Sequence, residues 1–271
     1  MKKINKEKQK ELMIGVLKYF DQICRDNGIK YSLIGGSLIG AVRHKGIIPW
    51  DDDIDVILSK DNYDKIIKLL KENNDSRYQL LDNSASKDYF FPFPKLVDTK
   101  TYLVEPLSLK QISQYGIYVD IFCYINVSDD TKKAIKTLNK IKFINGLISR
   151  KKLSFDQGIK KAIINITRNI ISSIIGSRNL IKIANSIYNK QNMDTKYVIS
   201  NWPIYENKKE IQLSKNIEDY IDMPFENMTA MIFKNYDSIL TTTFGDYMKL
   251  PPEDKRVCHG LEAYWREKDE K

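Results

Sequence analysis

The chain has 271 residues, 42% of them hydrophobic and 29% charged, enough for one large domain or two small ones with a real core. That composition fits a soluble globular protein, and no apolar run approaches ~18 residues, so no transmembrane helix is expected. The net charge of +9 is unevenly spread: residues 131–190 hold fourteen Lys or Arg against one acid, Asp156, which makes that block +13 and the remainder −4.

In chain order, the pattern predicts a helix over residues 5–27 with Leu12, Val16, Phe20, Ile23 and Cys24 on one face. Asn27-Gly28 stops it. A strand is expected over 29–34, then a tight turn at Gly35-Gly36 and a short helix through Val42 with Ser37 as its N-cap. Gly46 and Pro49 break the chain before a strand over 54–58, and Ser59 caps a helix carrying Tyr63, Ile66, Ile67 and Leu70. Residues 77–82, 93–98, 101–105 and 116–125 read as strands, the last nearly all apolar and therefore central in a sheet. Residues 131–190 read as helical, 226–241 as a further helix, and the tail from Gly245 as irregular. This order implies an α+β fold. Its parts are a catalytic core over 1–130, a basic amphipathic helical segment over 131–195, and a C-terminal part over 196–271 that completes the active site.

The chemistry concentrates before the strand at 54–58. Asp51, Asp52, Asp53 and Asp55 repel one another unless a cation neutralises them or water solvates them. Alternation along a strand puts Asp53 and Asp55 on one face, roughly 7 Å apart, a spacing suited to ligating Mg²⁺, or Mn²⁺ in its place. Asp51 and Asp52 then take supporting roles. Asp120 is the sole charge in the apolar strand at 116–125 and supplies a third carboxylate. Gly35-Gly36-Ser37 before a helix start is a candidate phosphate cradle. Arg43, His44, Lys45 and Lys95 are candidate phosphate contacts, with Lys95 alternatively a strand lysine reaching for solvent. Lys255, Arg256 and His259 lie in the irregular tail, a candidate flap over the site.

The run Gly35-Gly36-Ser37-Leu38-Ile39-Gly40-Ala41-Val42-Arg43-His44-Lys45-Gly46, followed by Ile48-Pro49-Trp50-Asp51-Asp52-Asp53-Ile54-Asp55, resembles the LicD family of the nucleotidyltransferase fold superfamily. The resemblance resumes at Lys95-Leu96 with Thr101, at Val119-Asp120-Ile121-Phe122, at Phe244–Pro252, and at Arg256 and His259. It departs at Cys123-Tyr124-Ile125, where the family commonly has Pro-Leu-Asp, a change expected in the pocket wall. The resemblance implies a nucleotidyltransferase-like mixed sheet flanked by helices, and metal held by Asp53, Asp55 and Asp120. It also implies transfer of phosphocholine from CDP-choline to a hydroxyl of a lipid-linked glycan such as a teichoic acid, capsule or lipopolysaccharide precursor. Related members use CDP-ribitol. A choline head group calls for aromatic faces, for which Trp50, Tyr89, Phe90, Phe91 and Trp202 are candidates, with Trp50 foremost because it adjoins the aspartates.

Two other classes compete. One is nucleotidyl transfer on the same fold, against which the long Trp50–Asp55 motif and the matching tail argue. The other is a non-enzymatic basic module binding membrane or nucleic acid through residues 131–190. No nucleic-acid motif supports the latter partner, whereas a basic amphipathic stretch suits peripheral contact with anionic lipid. Cys24, Cys123 and Cys258 share no CxxC spacing, and the charged N-terminus lacks a signal-peptide pattern, so a cytoplasmic protein, peripheral at the inner membrane face, is expected. Cys258 beside His259 makes no nucleophile pair, because sequence neighbours rarely face each other.

Overall fold

A computed structural model describes residues 1–105, 111–149, 159–189, 194–205, 207–256, 258 and 260–266. Helix α1 (Lys6–Asp26) begins at Asn5, whose side chain accepts the Lys8 N–H at 2.8 Å, and buries Leu12, Val16, Leu17, Phe20 and Cys24. Strand β1 (Ser32–Leu33) leads into α2 (Gly35–Ile39), which continues as a π-helical turn over Gly40–His44. Then come β2 (Asp55–Leu58), α3 (Lys60–Glu72), β3 (Tyr78–Leu81), β4 (Lys95–Asp98), β5 (Thr101–Val104) and the long β6 (Ile117–Val127).

Helices α4 (Thr131–Ile148), α5 (Ile159–Ile175) and α6 (Ser177–Tyr188) pack on one another. The chain returns through β7 (Tyr197–Ser200), α7 (Asn207–Glu210), β8 (Gln212–Leu213), β9 (Tyr220–Phe225), β10 (Met228–Phe233), α8 (Tyr236–Phe244) and β11 (Glu262–Trp265).

The main sheet runs β1-β2-β6-β4-β3, with β7 added to β6 and β8 to β7. Among the described residues, only the β2–β6 pair of this sheet is parallel; the other pairs are antiparallel. Strand β6 is the axis: residues 117–120 pair with β4, 120–123 with β2 and 124–127 with β7. Its apolar sequence follows from that position, since a strand paired along its length and covered by helices has little contact with water. The mixed sheet with flanking helices is the α+β fold expected. Among the described residues, no helix is long and apolar enough to cross a membrane.

Four local expectations are corrected. The first strand is two residues long, not six. Ser37 is not an N-cap: α2 starts at Gly35, Ile34 occupies the cap position, and the Ser37 hydroxyl instead accepts the Asp55 N–H at 2.9 Å. The helix expected over 226–241 is split, because the run Met228–Phe233 forms a strand against β9 and only Tyr236–Phe244 is helical. The tail is not wholly irregular, since Glu262–Trp265 adds to the edge of β5.

Candidate active site

Sheet register assembles the centre. Parallel pairing sets Asp55 beside Asp120, and antiparallel pairing sets Lys95 on the other side of Asp120. Cross-strand partners project to one face, so Asp55, Asp120 and Lys95 form a row across three strands. Lys95 is only 2% exposed and makes an ion pair with Asp120. Its ammonium lies 3.6 Å from the centre of the Tyr118 ring and 4.9 Å from that of Phe91, with Phe93 and Tyr115 slightly farther. A buried ammonium needs such a counter-charge, and the ring faces add to it. Lys95 therefore neither reaches for solvent nor stands open for a phosphate; it holds Asp120.

Residues 51–54 are coil, so strand alternation does not govern Asp53 as the sequence pattern assumed. The coil instead gathers Asp51, Asp52 and Asp53, whose ligand oxygens all lie within 4.8 Å of one another. Asp55 follows at the start of β2. Burial pushes its carboxyl well above the usual carboxylate range, and the charges of Asp53, Asp120 and Asp51 add to the shift while Lys95 opposes it. Hard oxygen donors of one sign, crowded at the end of a sheet, have the chemistry of a Mg²⁺ or Mn²⁺ site.

The glycine turn packs against these carboxylates. Gly35 has φ +60°, a conformation that favours glycine. A Cβ on Gly36 would lie 2.5 Å from Asp51 Oδ2, so only a bare Cα leaves that carboxylate its place. A Cβ on Gly35 would be 3.7 Å from Asp55 Oδ2 and 3.9 Å from the Tyr205 hydroxyl.

The basic residues after the turn hold the tail. Arg43 Nη1 donates to the carbonyls of Tyr247 at 2.6 Å and Lys249 at 3.2 Å. His44 Nδ1 accepts from Arg43 Nε at 3.4 Å, and burial, then the Arg43 charge, lowers its pKa. Lys45 is exposed in a left-handed conformation, and its carbonyl accepts the Glu226 N–H at 2.8 Å. Arg256 stacks over Trp50 at 5.1 Å, and Asp52 Oδ2 accepts the Leu261 N–H at 3.0 Å. The tail is thus tied down beside the aspartates. The Lys255 side chain and His259 lie outside the described residues.

A cavity enclosing about 370 Å³ of empty space, part of it open to solvent, adjoins the turn. Gly35, Tyr124, Tyr205, Lys209, Glu210 and Thr243 are among its walls. Tyr124 belongs to the stretch where the sequence departs from the LicD pattern, so that departure does fall on a pocket wall. Glu210 accepts the Tyr205 N–H, and burial pushes its carboxyl up to about 7. Burial, then the Asp55 charge, raises the Tyr205 hydroxyl. Sequence reasoning missed Tyr205 and Glu210: they follow β7, Glu210 at the end of α7, and β7 pairs with β6 across a long sequence separation and carries no local motif.

The candidate choline-facing aromatics are differently placed. Tyr89 and Phe90 are buried, with the Tyr89 hydroxyl donating to the Phe93 carbonyl at 2.6 Å. Phe91 and Trp202 pack with Phe93. Trp50 is half-buried, with Arg256 over its ring and His44 at its edge.

Comparison with known proteins bears on this arrangement. The family model described as LicD/FKTN/FKRP, nucleotidyltransferase domain, matches residues 28–154, a span that contains all five aspartates discussed above. The lipopolysaccharide cholinephosphotransferase LicD of Haemophilus influenzae is 30% identical over 270 residues, 97% of this chain and 99% of that protein. The human ribitol 5-phosphate transferase FKRP is 62% identical over 29 residues, 11% of this chain and 6% of that protein. An uncharacterised protein of Rickettsia prowazekii is 49% identical over 41 residues, 15% of each chain.

Proposed function

The chain belongs to the LicD family of phosphotransferases, and from that premise we propose that it moves phosphocholine from CDP-choline to a hydroxyl of a cell-surface glycan precursor. The observation that carries this reading is the end-to-end match with a lipopolysaccharide cholinephosphotransferase. The site supports it. Asp53, Asp55 and Asp120 would hold Mg²⁺ or Mn²⁺, with Asp51 and Asp52 beside them. The ion would supply positive charge against the donor pyrophosphate. Lys95 orients Asp120 through their buried ion pair. The open backbone of Gly35-Gly36 lets the pyrophosphate approach the carboxylate row. A carboxylate of the Asp51–Asp53 group takes the proton of the acceptor hydroxyl as its oxygen attacks the phosphorus that bears the alcohol. The bond from that phosphorus to CMP breaks, and CMP leaves.

A second donor stays in contention on a specific observation. Arg256 covers Trp50, and Lys95 occupies the cage of Phe91, Phe93, Tyr115 and Tyr118. Rings already facing an internal cation are poor hosts for choline, and the match to a ribitol 5-phosphate transferase points to an uncharged polyol. CMP release measured with CDP-choline, CDP-ribitol and CDP-glycerol, each with Mg²⁺ and a lipid-linked or teichoic-type oligosaccharide, separates these. Release with CDP-choline alone supports phosphocholine; release with CDP-ribitol alone transfers the reading to the polyol. No release with any of the three overturns the proposal.

A further inference from the structure

Seven of the eleven large apolar side chains left exposed among the described residues lie on α4, α5 and α6, five of them on α5. At 100° per residue, Ile163, Ile166, Ile170 and Ile174 fall within an arc of about 80°. Their exposures are 56%, 39%, 55% and 79%. The opposite side of α5 packs inward through Ile171, Ser172 and Ile175. The helix is therefore already seated on the protein, and the isoleucine ridge is surplus to that packing.

The charge around the ridge has one sign. Residues 159–188 include five Lys or Arg and no acid. Arg178 and Lys182 on α6 are exposed, as are Lys132, Lys133, Lys136 and Lys140 on α4. We propose that this face docks on an anionic lipid bilayer, with the α5 isoleucines entering the acyl boundary and the surrounding Lys and Arg meeting lipid phosphates. The helix would lie in the membrane plane, the geometry of an amphipathic surface helix. A second copy of this chain is a poor occupant, because face-to-face pairing brings two blocks of +13 together. Nucleic acid would satisfy the charge but leave the isoleucines unused. The inference stands on charge and exposure alone, and its test does not depend on which donor the enzyme uses.

The test is flotation of the full-length chain with phosphatidylcholine vesicles, with and without about 30% phosphatidylglycerol, at low and high salt. The chain should float with the anionic vesicles at low salt, stay behind with the neutral ones, and detach as salt rises. Ile170→Ser with Ile174→Ser should weaken binding at least about tenfold, and Arg178→Glu with Lys182→Glu by a similar factor, with unchanged circular dichroism. These isoleucines are exposed, so their replacement leaves the fold intact. Absence of flotation, equal flotation with neutral vesicles, or unchanged flotation of both variants would overturn the proposal. So would concentration-dependent dimerisation in lipid-free solution that the isoleucine variant abolishes, which would assign the ridge to a second copy.

Discussion

The carboxylate row of the sheet and the helical block α4–α6 stand in opposite relation to water. In the sheet, like charges are drawn together and partly buried: Asp55 sits beside Asp120 and below Asp51, Asp52 and Asp53, with Lys95 the buried cation in the row. In the helical block, apolar side chains stay exposed among charges of the other sign. The net charge of +9 conceals this division into +13 and −4. Each region is incomplete as free protein, and each indicates its partner by what it lacks. The row carries more negative than positive charge, which a divalent cation would offset on the proposed reading. The block exposes apolar side chains among basic ones, which an anionic lipid surface would cover on the inference above.

The sharpest way to probe the first region is to remove Asp120. Asp120→Ala leaves the Lys95 ammonium buried without its carboxylate, and a stability loss of about 3–5 kcal/mol is expected in urea unfolding. Lys95→Met in that background should restore part of the loss, because the ring cage can host an apolar chain. An Asp120→Ala protein as stable as wild type would mean that the pair is not truly buried.

Glu210 gives a smaller effect. Its folded pKa, about 7, lies above the unfolded value of 4.5, so the native state binds more protons between the two. Its contribution is then most favourable below about pH 4.5 and declines as pH rises through 7. Glu210→Gln should flatten the fall of Tm between pH 5 and 8 and gain about 1–2 kcal/mol at the upper end, after allowing for one altered hydrogen bond. An unchanged pH profile would remove Glu210 as a titrating group.

The least disruptive change lies in the second region. Ile170→Ser with Ile174→Ser should shift stability by no more than about 0.5 kcal/mol per site, since neither side chain is in the core. A large loss of Tm would show that α5 packs more closely than its exposure indicates, and would weaken the contrast between the two regions.

Much of this contrast is legible in the sequence. Helix α1, the strands β2 to β6 and the helical character of 131–148 and 159–188 follow from periodicity and charge, because each element is locally amphipathic or locally apolar, while residues 150–158 and 190 of the helical stretch expected lie outside the described residues. The lone aspartate in an apolar strand marked Asp120 for the same reason. What failed was decided by distant partners. Met228–Phe233 has the composition of a buried helix segment as much as of a strand, and only pairing with β9 settles it. Ser37 has the residue type of a cap, but the helix starts earlier and its hydroxyl serves β2 instead. Arg43 looked like a phosphate ligand because it follows the glycine turn; its partners are carbonyls about 200 positions away in sequence. Strand parity separated Asp53 from Asp51 and Asp52, whereas the coil before β2 brings all three together. The family resemblance rested on a long local motif, and for that reason it held.

The central claim is that this carboxylate row is a divalent-cation site, and Mn²⁺ titration by calorimetry tests it most directly. Wild-type protein should bind Mn²⁺ with proton release, since burial favours the protonated form of Asp55 and the ion displaces that proton. Asp55→Asn should weaken that binding by about 10- to 100-fold while raising the stability of the metal-free protein, because it replaces a carboxyl whose ionisation burial and the neighbouring aspartates penalise. Equal Mn²⁺ affinity in the two proteins, or no binding by the wild type, would contradict the account.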